Sequence, residues 1–150
     1  MRRADDRPRR LLTDWTTTAG LAGDGLLALV AGDEVTPEGI HLATLGYEVF
    51  VLGPHVEAAQ DLARVHHVAV DVAAEALPQQ WQSRFALAVT FDPALTPQLA
   101  GTLAVGGLLV AVGEAGADVD LSTLTEVLHE QGPDPDSPQA ERFRLVAAHV

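Results

Sequence analysis

The chain contains no cysteine, no lysine and no asparagine. Without cysteine there are no disulfides, no thiolate metal sites and no thiol nucleophile. Without lysine a Walker A phosphate loop is excluded, because that loop needs the ammonium group to reach the β- and γ-phosphates. Schiff-base chemistry is excluded for the same reason. So is a phosphorelay receiver, whose acid cluster works with a lysine. All nine basic residues are arginine: Arg2, Arg3, Arg7, Arg9, Arg10, Arg64, Arg84, Arg142 and Arg144. Aromatic residues are scarce, at 5%. Long apolar runs are missing too. The longest, Leu26–Ala31, is far too short to span a membrane. No apolar stretch follows the opening MRRADDRPRR, so no secretory signal is expected and a cytoplasmic location is.

What is present is a chain of 150 residues, 47% hydrophobic, with a net charge of −12. The length suits one domain spanning residues 1–150, and the apolar content suits a packed core. The 24 alanines, with lysine and asparagine absent, suggest a bacterial genome of high GC content. Five of the nine arginines fall in the first ten residues, which read as a flexible basic N-terminus. From Leu11 onward four arginines face nineteen acids, so this acidic body should repel nucleic acid.

Short apolar runs alternate with amphipathic segments, which predicts an α/β fold with a mainly parallel sheet. Strands are expected at Leu26–Ala31, Glu48–Leu52, His67–Asp71, Phe85–Thr90, Gly107–Val112 and Phe143–His149. Helices are expected at Leu11–Thr17, at Pro37–Leu45 with Thr36 as N-cap and Gly46 as stop, and at His55–Val65. Further helices are expected at Ala73–Trp81, Thr96–Ala104 and Leu121–Gln131. In the last of these Leu121, Leu124 and Leu128 align at helical spacing and Gly132 follows. Gly132–Glu141 reads as a loop. The pattern describes a Rossmann-like open sheet of about six strands, mostly parallel with an antiparallel last strand, and with helices on both faces.

LATLGYEVFVLGPHVEAAQDLAR (residues 42–64), HVAVDVAAEALPQQWQSRFALAV (67–89) and LAVGGLLVAVGE (103–114) follow one another in order. In phrase and spacing they resemble class I S-adenosylmethionine-dependent methyltransferases. LSTLTEVLHEQG and RFRLVAAHV resemble the last helix and final strand of the thiopurine methyltransferase-like subset. The resemblance covers about Leu11 to Val150 and implies S-adenosylmethionine as cofactor. It also implies a glycine-rich turn after the first strand, a ribose-binding acid at the tip of the second and an adenine-contacting acid after the third.

The residues depart from that pattern. Aligned on Gly46-Tyr47-Glu48, Gly32 is the first glycine of the turn, but Glu34 and Thr36 stand at the second and third. Asp33 and Glu34 would put carboxylates beside a ligand that bears one, and like charges oppose binding. Gly53 stands where the ribose acid belongs. Asp71, followed by Val72, matches the adenine acid and reads equally as a solvated strand end or a helix N-cap. The altered or vestigial cofactor set is therefore Gly32, Asp33, Glu34, Gly53, Asp71 and Val72. Thr90 and Asp92 lie at the mouth of the implied substrate pocket. No catalytic residue is identified.

Three parts look short: the N-terminal lid, the helix after the fourth strand, and the region after the last helix. There one strand is expected to be lost, with the final strand antiparallel beside the fifth. The leading expectation is a degenerate, non-catalytic methyltransferase-like protein working through protein contacts, as a homodimer or with an active methyltransferase homologue. The alternative is an active small-molecule methyltransferase with an altered glycine turn. No metal site is expected: adjacent His66 and His67 would point to opposite sides of a strand. Trp15 and Trp81 are expected to pack helices against the sheet.

Overall fold

LALVA (β1, Leu27–Ala31) has no polar residue, so it can be buried on both faces, and Ala28, Leu29, Val30 and Ala31 are fully buried. It is the middle of a parallel core. β2 (Glu48–Leu52) pairs with it on one side and β4 (Phe85–Thr90) on the other. β3 (Val70–Ala73) extends the sheet beyond β2, and β5 (Leu103–Glu114) extends it beyond β4. β7 (Ser137–Ala148) lies antiparallel to β5, and β6 (Thr125–Asp134) closes that edge antiparallel to β7. The order is β3-β2-β1-β4-β5-β7-β6. The computed structural model describes residues 7–32, 35–53, 60, 70–73, 79–121 and 123–149.

Successive strand residues face opposite ways, so two cores form. Ala28, Val30, Val49, Val51, Leu87 and Val89 meet Leu12 and Trp15 of helix α1 (Arg10–Ala19) and Leu42 of helix α2 (Thr36–Thr44). On the other face Leu29, Phe50, Phe85 and Leu109 meet Trp81 and Leu99. Trp81 ends a 3-10 turn at Gln79–Trp81, and Leu99 belongs to the short helix α3 (Thr96–Ala100). Phe50, Trp81 and Phe85 form an edge-to-face trio with centroids 5.2, 5.3 and 5.9 Å apart, a geometry that aromatic quadrupoles favour. Both tryptophans thus pack against the sheet, and helices cover both faces, as the sequence leads one to expect. α2 lies close on β2 because Gly39 has no side chain: a Cβ there would sit 3.2 Å from Val51 and 3.3 Å from Val49.

Several sequence expectations are corrected. Among the described residues the sheet has seven strands, one more than the about six expected. The final strand is antiparallel beside the fifth, but no strand is missing between them in the chain. The segment read as the helix Leu121–Gln131 and the loop Gly132–Glu141 is instead β6, a turn and the start of β7. The reason lies in where the three leucines go. Leu121 and Leu124 pack on the Trp81 face from the turn before β6, where the Leu124 N–H donates to the Leu121 carbonyl at 2.9 Å. Leu128 pairs with Val146 and so sits on the opposite face. A period of three to four residues therefore arose from two elements rather than one helix face. Gly132 lies within β6 and stops nothing.

α2 begins at Thr36 with Val35 as its N-cap residue and no side-chain cap, so Thr36 is not the cap. α3 stops at Ala100 because β5 already starts at Leu103, four residues before the expected Gly107. The third strand runs over Val70–Ala73 rather than ending at Asp71. Ala73 belongs to that strand and Gln79–Trp81 is a 3-10 turn, so the expected helix 73–81 is absent at both ends. The expected helix His55–Val65 lies almost wholly outside the described residues.

The strand assignment is checked by a pair of substitutions. Leu124 is 7% exposed and Leu128 is 36% exposed. Leu124→Ala should cost about 2–5 kcal/mol in urea unfolding, and Leu128→Ala less than about 1 kcal/mol. Equal losses at the two positions would favour a single helix face.

Candidate functional site

In an open α/β sheet the ligand crevice forms where chain connections leave neighbouring strands toward opposite faces. Here those strands are β1 and β4. The chain leaves β1 for α2 on one face and leaves β4 for α3 on the other. Their last residues, Ala31 and Thr90, are level with each other, and Leu52 of β2 is level with Ala31.

Gly32 follows β1 with φ +132°, a conformation side chains rarely adopt. Its N–H donates to the Leu52 carbonyl at 2.9 Å, which folds the turn toward β2. That fold decides what can stand at position 53. A Cβ on Gly53 would lie 2.4 Å from the Gly32 carbonyl oxygen. The position the resemblance assigns to the ribose acid is thus filled by the tip of β1. Asp33 and Glu34 lie outside the described residues. Asp71 and Val72 lie within β3, level with Phe50 and Val51, and the strand continues to Ala73 level with Leu52. Asp71 is therefore two residues short of the strand tip.

Thr90 is fully buried and committed to its own turn. Its hydroxyl donates to the Asp92 carbonyl at 3.1 Å and accepts from the Asp92 N–H at 3.0 Å. The Asp92 carboxylate accepts from Ala94 N–H at 3.2 Å and caps a 3-10 turn at Pro93–Leu95. Pro93 leans on β5 at Gly113, where a Cβ would meet the proline ring at 2.5 Å. The structure thus brings Gly32, Gly53 and Thr90 together at the strand tips. Asp92 stands beside them with its polar groups engaged, and Asp71 stays lower in the sheet.

Two residues of the crevice carried no signal in the sequence. Glu38, in the first turn of α2, is 0% exposed. Its carboxylate accepts from the Arg9 backbone N–H at 2.6 Å and from Arg9 Nη1 at 2.9 Å. The Arg9 guanidinium also lies over the Phe91 ring, 4.2 Å from its centroid, just past the β4 tip. Arg9 is in the stretch expected to be flexible, yet it spans from α2 to the end of β4. The following residues are fixed as well. The Arg10 N–H donates to Asp136 at 2.9 Å, and Arg144 Nη1 donates to the Leu11 carbonyl at 2.7 Å. A buried carboxylate must be paired, so this contact anchors the N-terminal arm. In sequence an acid three residues into a helix looks like an ordinary exposed first-turn residue.

Behind the arm, α1 and α2 are joined by Thr16 Oγ1 and His41 Nε2 at 2.9 Å. Burial pushes the His41 pKa below its ordinary value. Among the described residues no group of three His, Asp or Glu side chains converges as a metal site. Among them, too, no helix is long and apolar enough to cross a membrane.

No protein-family profile matches the sequence, and no curated protein matches it. Solved structures do match its fold. Geranyl diphosphate C-methyltransferase from Streptomyces coelicolor, solved with S-adenosyl-L-homocysteine, aligns with a TM-score of 0.70 at 10% identity, over 93% of this chain and 78% of that one. Magnesium protoporphyrin IX methyltransferase from Synechocystis, also with S-adenosylhomocysteine bound, gives 0.70 at 14% identity over 93% and 80%. A TehB-like methyltransferase from Corynebacterium glutamicum gives 0.60 at 15% identity over 94% and 86%. The fold is that of the S-adenosylmethionine-dependent methyltransferases.

The His41 shift has a pH signature. A histidine with a lowered folded pKa adds stability above its unfolded pKa of 6.5 and loses it as pH falls through the window below that value. His41→Gln should therefore flatten the fall in melting temperature between pH 7.5 and 5.5 relative to the parent. Identical slopes would place the acid sensitivity elsewhere.

Proposed function

We propose that this chain is a degenerate S-adenosylmethionine-dependent methyltransferase-like protein of the thiopurine methyltransferase-like kind. It performs no methyl transfer and acts through protein contacts. The observation that carries this reading is at Gly53. A cofactor ribose needs an acceptor for its hydroxyls at that strand tip. Glycine supplies none, and the Gly32 carbonyl 2.4 Å from the would-be Cβ leaves no space for one unless the β1 tip moves. The acids Asp33 and Glu34 in the same turn add charge of the wrong sign for a carboxylate-bearing cofactor.

A second reading keeps S-adenosylmethionine and small-molecule methyl transfer with an altered glycine turn. The positive φ of Gly32 favours it, since that is the backbone a close-approaching cofactor requires. Calorimetric titration and thermal shift with S-adenosylhomocysteine separate the two. The degenerate reading expects no heat and no rise in melting temperature, because only a ligand bound to the native state stabilises it. A dissociation constant in the low micromolar range would overturn it in favour of the second.

The protein contact is assigned to the β6 edge, with a second copy or an active methyltransferase homologue as partner. β6 is the outermost strand, and Val127 and Leu128 are 62% and 36% exposed on it. The outer backbone groups of an edge strand are a template for pairing. The same reading places the protein in a bacterial cytoplasm and away from nucleic acid, given its four arginines against nineteen acids from Leu11 onward. Light scattering should give a dimer for the chain alone or a one-to-one complex with such a homologue, and Val127→Lys with Leu128→Lys should abolish it. A strict monomer that captures no homologue would remove the edge-pairing claim.

A further inference from the structure

We infer that the end of the sheet opposite the strand tips carries a second binding site, which takes a small ligand with an apolar body and a carboxylate head. The site is an open groove of about 420 Å³, within the range of small-ligand pockets. It exists because β5 leaves the register of β4. Phe85 is level with Leu103 and Leu87 with Leu108, so β4 advances two residues while β5 advances five. The surplus in β5, between Ala104 and Gly107, bulges from the ladder and forms one wall. β4 lies between β5 and β1, so Leu26 and Leu27 form the opposite wall, with Ala86 of β4 between the two. The bulge is fixed in place. The Gly106 N–H donates to the His149 carbonyl at 2.7 Å, and the His149 N–H donates to the Gly107 carbonyl at 2.9 Å. The groove is therefore preformed, and a ligand need not order it.

The lining defines the ligand. Leu26 is 53% and Val105 82% exposed, and their neighbours in the groove are Leu27, alanines and glycines. The body of a ligand there meets no hydrogen-bonding side chain except at Arg84, so hydrocarbon suits it. Among the described residues Arg84 is the one charged side chain of the lining. Arg142 pairs with Glu114 and Asp134, and Arg144 with Glu130, but among the described residues no carboxylate pairs with Arg84. Its guanidinium stands 3.5 Å from the Gln80 carbonyl and 6.0 Å from the centroid of the Phe50 ring. Both distances are at the outer limit of such contacts, so the planar fork is open to a ligand. A carboxylate fits that fork with two parallel bonds. A phosphate would call for further donors, and the N–H groups of Gly25, Leu26 and Gly106 are already given to the carbonyls of Gly46, Gly23 and His149. A net charge of −12 also opposes a dianion more than a monoanion. Asp24 and Glu48, beside Gly25 in the chain and level with Leu27 across the sheet, do not line the groove. The inference is independent of the proposed function, since Leu27 begins β1 and Gly32 follows its other end.

Octanoate is the probe. In calorimetric titration it should bind the full chain with a dissociation constant below about 1 mM. In amide NMR spectra it should move the Gly25, Gly106 and Gly107 signals and leave those of Gly32 and Gly53 in place. Acetate, which lacks the chain, and octanamide, which lacks the charge, should each bind at least about tenfold more weakly. Arg84→Gln should weaken octanoate about tenfold and leave octanamide unchanged. Leu26→Ser with Val105→Ser should weaken both compounds. All three side chains are exposed, so these variants keep the fold. The spectra of the parent chain locate the site without any variant. No octanoate binding, movement of the strand-tip signals instead, or equal binding of octanoate and octanamide would each overturn the inference. So would an Arg84→Gln chain that folds and binds octanoate as the parent does. S-adenosylhomocysteine binding, whichever way it falls, leaves this result unaffected.

Discussion

The constraint on which the rest depends is that β1 and β4 are apolar on both faces. Ala28 to Ala31 and Leu87 to Thr90 are all buried. Such strands cannot sit at an edge or present a face to water. They must lie in the middle with a layer on each side. α1 and α2 supply one layer, and the Trp81 turn with α3 supplies the other. To build both layers, the chain leaves β1 toward one face and β4 toward the other. The crevice between their tips is a consequence of covering the sheet, and it exists whatever the chain uses it for.

What occupies that crevice distinguishes this molecule from a generic open sheet. The β1 tip folds over toward β2 through the Gly32 N–H, and its carbonyl takes the space beside Gly53. The β4 tip closes on itself through Thr90 and Asp92. Arg9 spans the remaining gap from Glu38 to Phe91. Each is a polar group satisfied within the chain. Buried polar groups are costly only when unpaired, so a tip region of this kind needs no ligand for its own stability.

The strands of the parallel core were legible because their apolar runs are short, uninterrupted and bounded by glycine or polar residues. Glu48–Leu52 and Phe85–Thr90 match their expected limits. The C-terminal third is not legible in the sequence, for a physical reason. Leu121, Leu124 and Leu128 have helical spacing, yet they serve opposite faces of the sheet from two different elements. Spacing does not reveal a chain reversal between neighbours. Of the candidate site, Gly32, Gly53, Thr90 and Asp92 were legible from strand ends and lie at the tips. The level of Asp71 was not, because a short strand can slide by two residues against its neighbour without changing its apolar pattern. Glu38 was not legible at all.

The sequence by itself determined the chemistry that is unavailable: with no cysteine and no lysine, whole reaction classes are closed regardless of fold. It also determined the parallel core, since two-sided apolar strands have few other solutions. Only the tertiary structure decided what Arg9 does. In the sequence, Arg9 belongs to a basic run at the chain's start. In the fold it meets Glu38, 29 residues away, and Phe91, which no local pattern links to it. Long-range pairing of a buried charge depends on where three separate elements come to rest, and that is settled by packing rather than by any single segment.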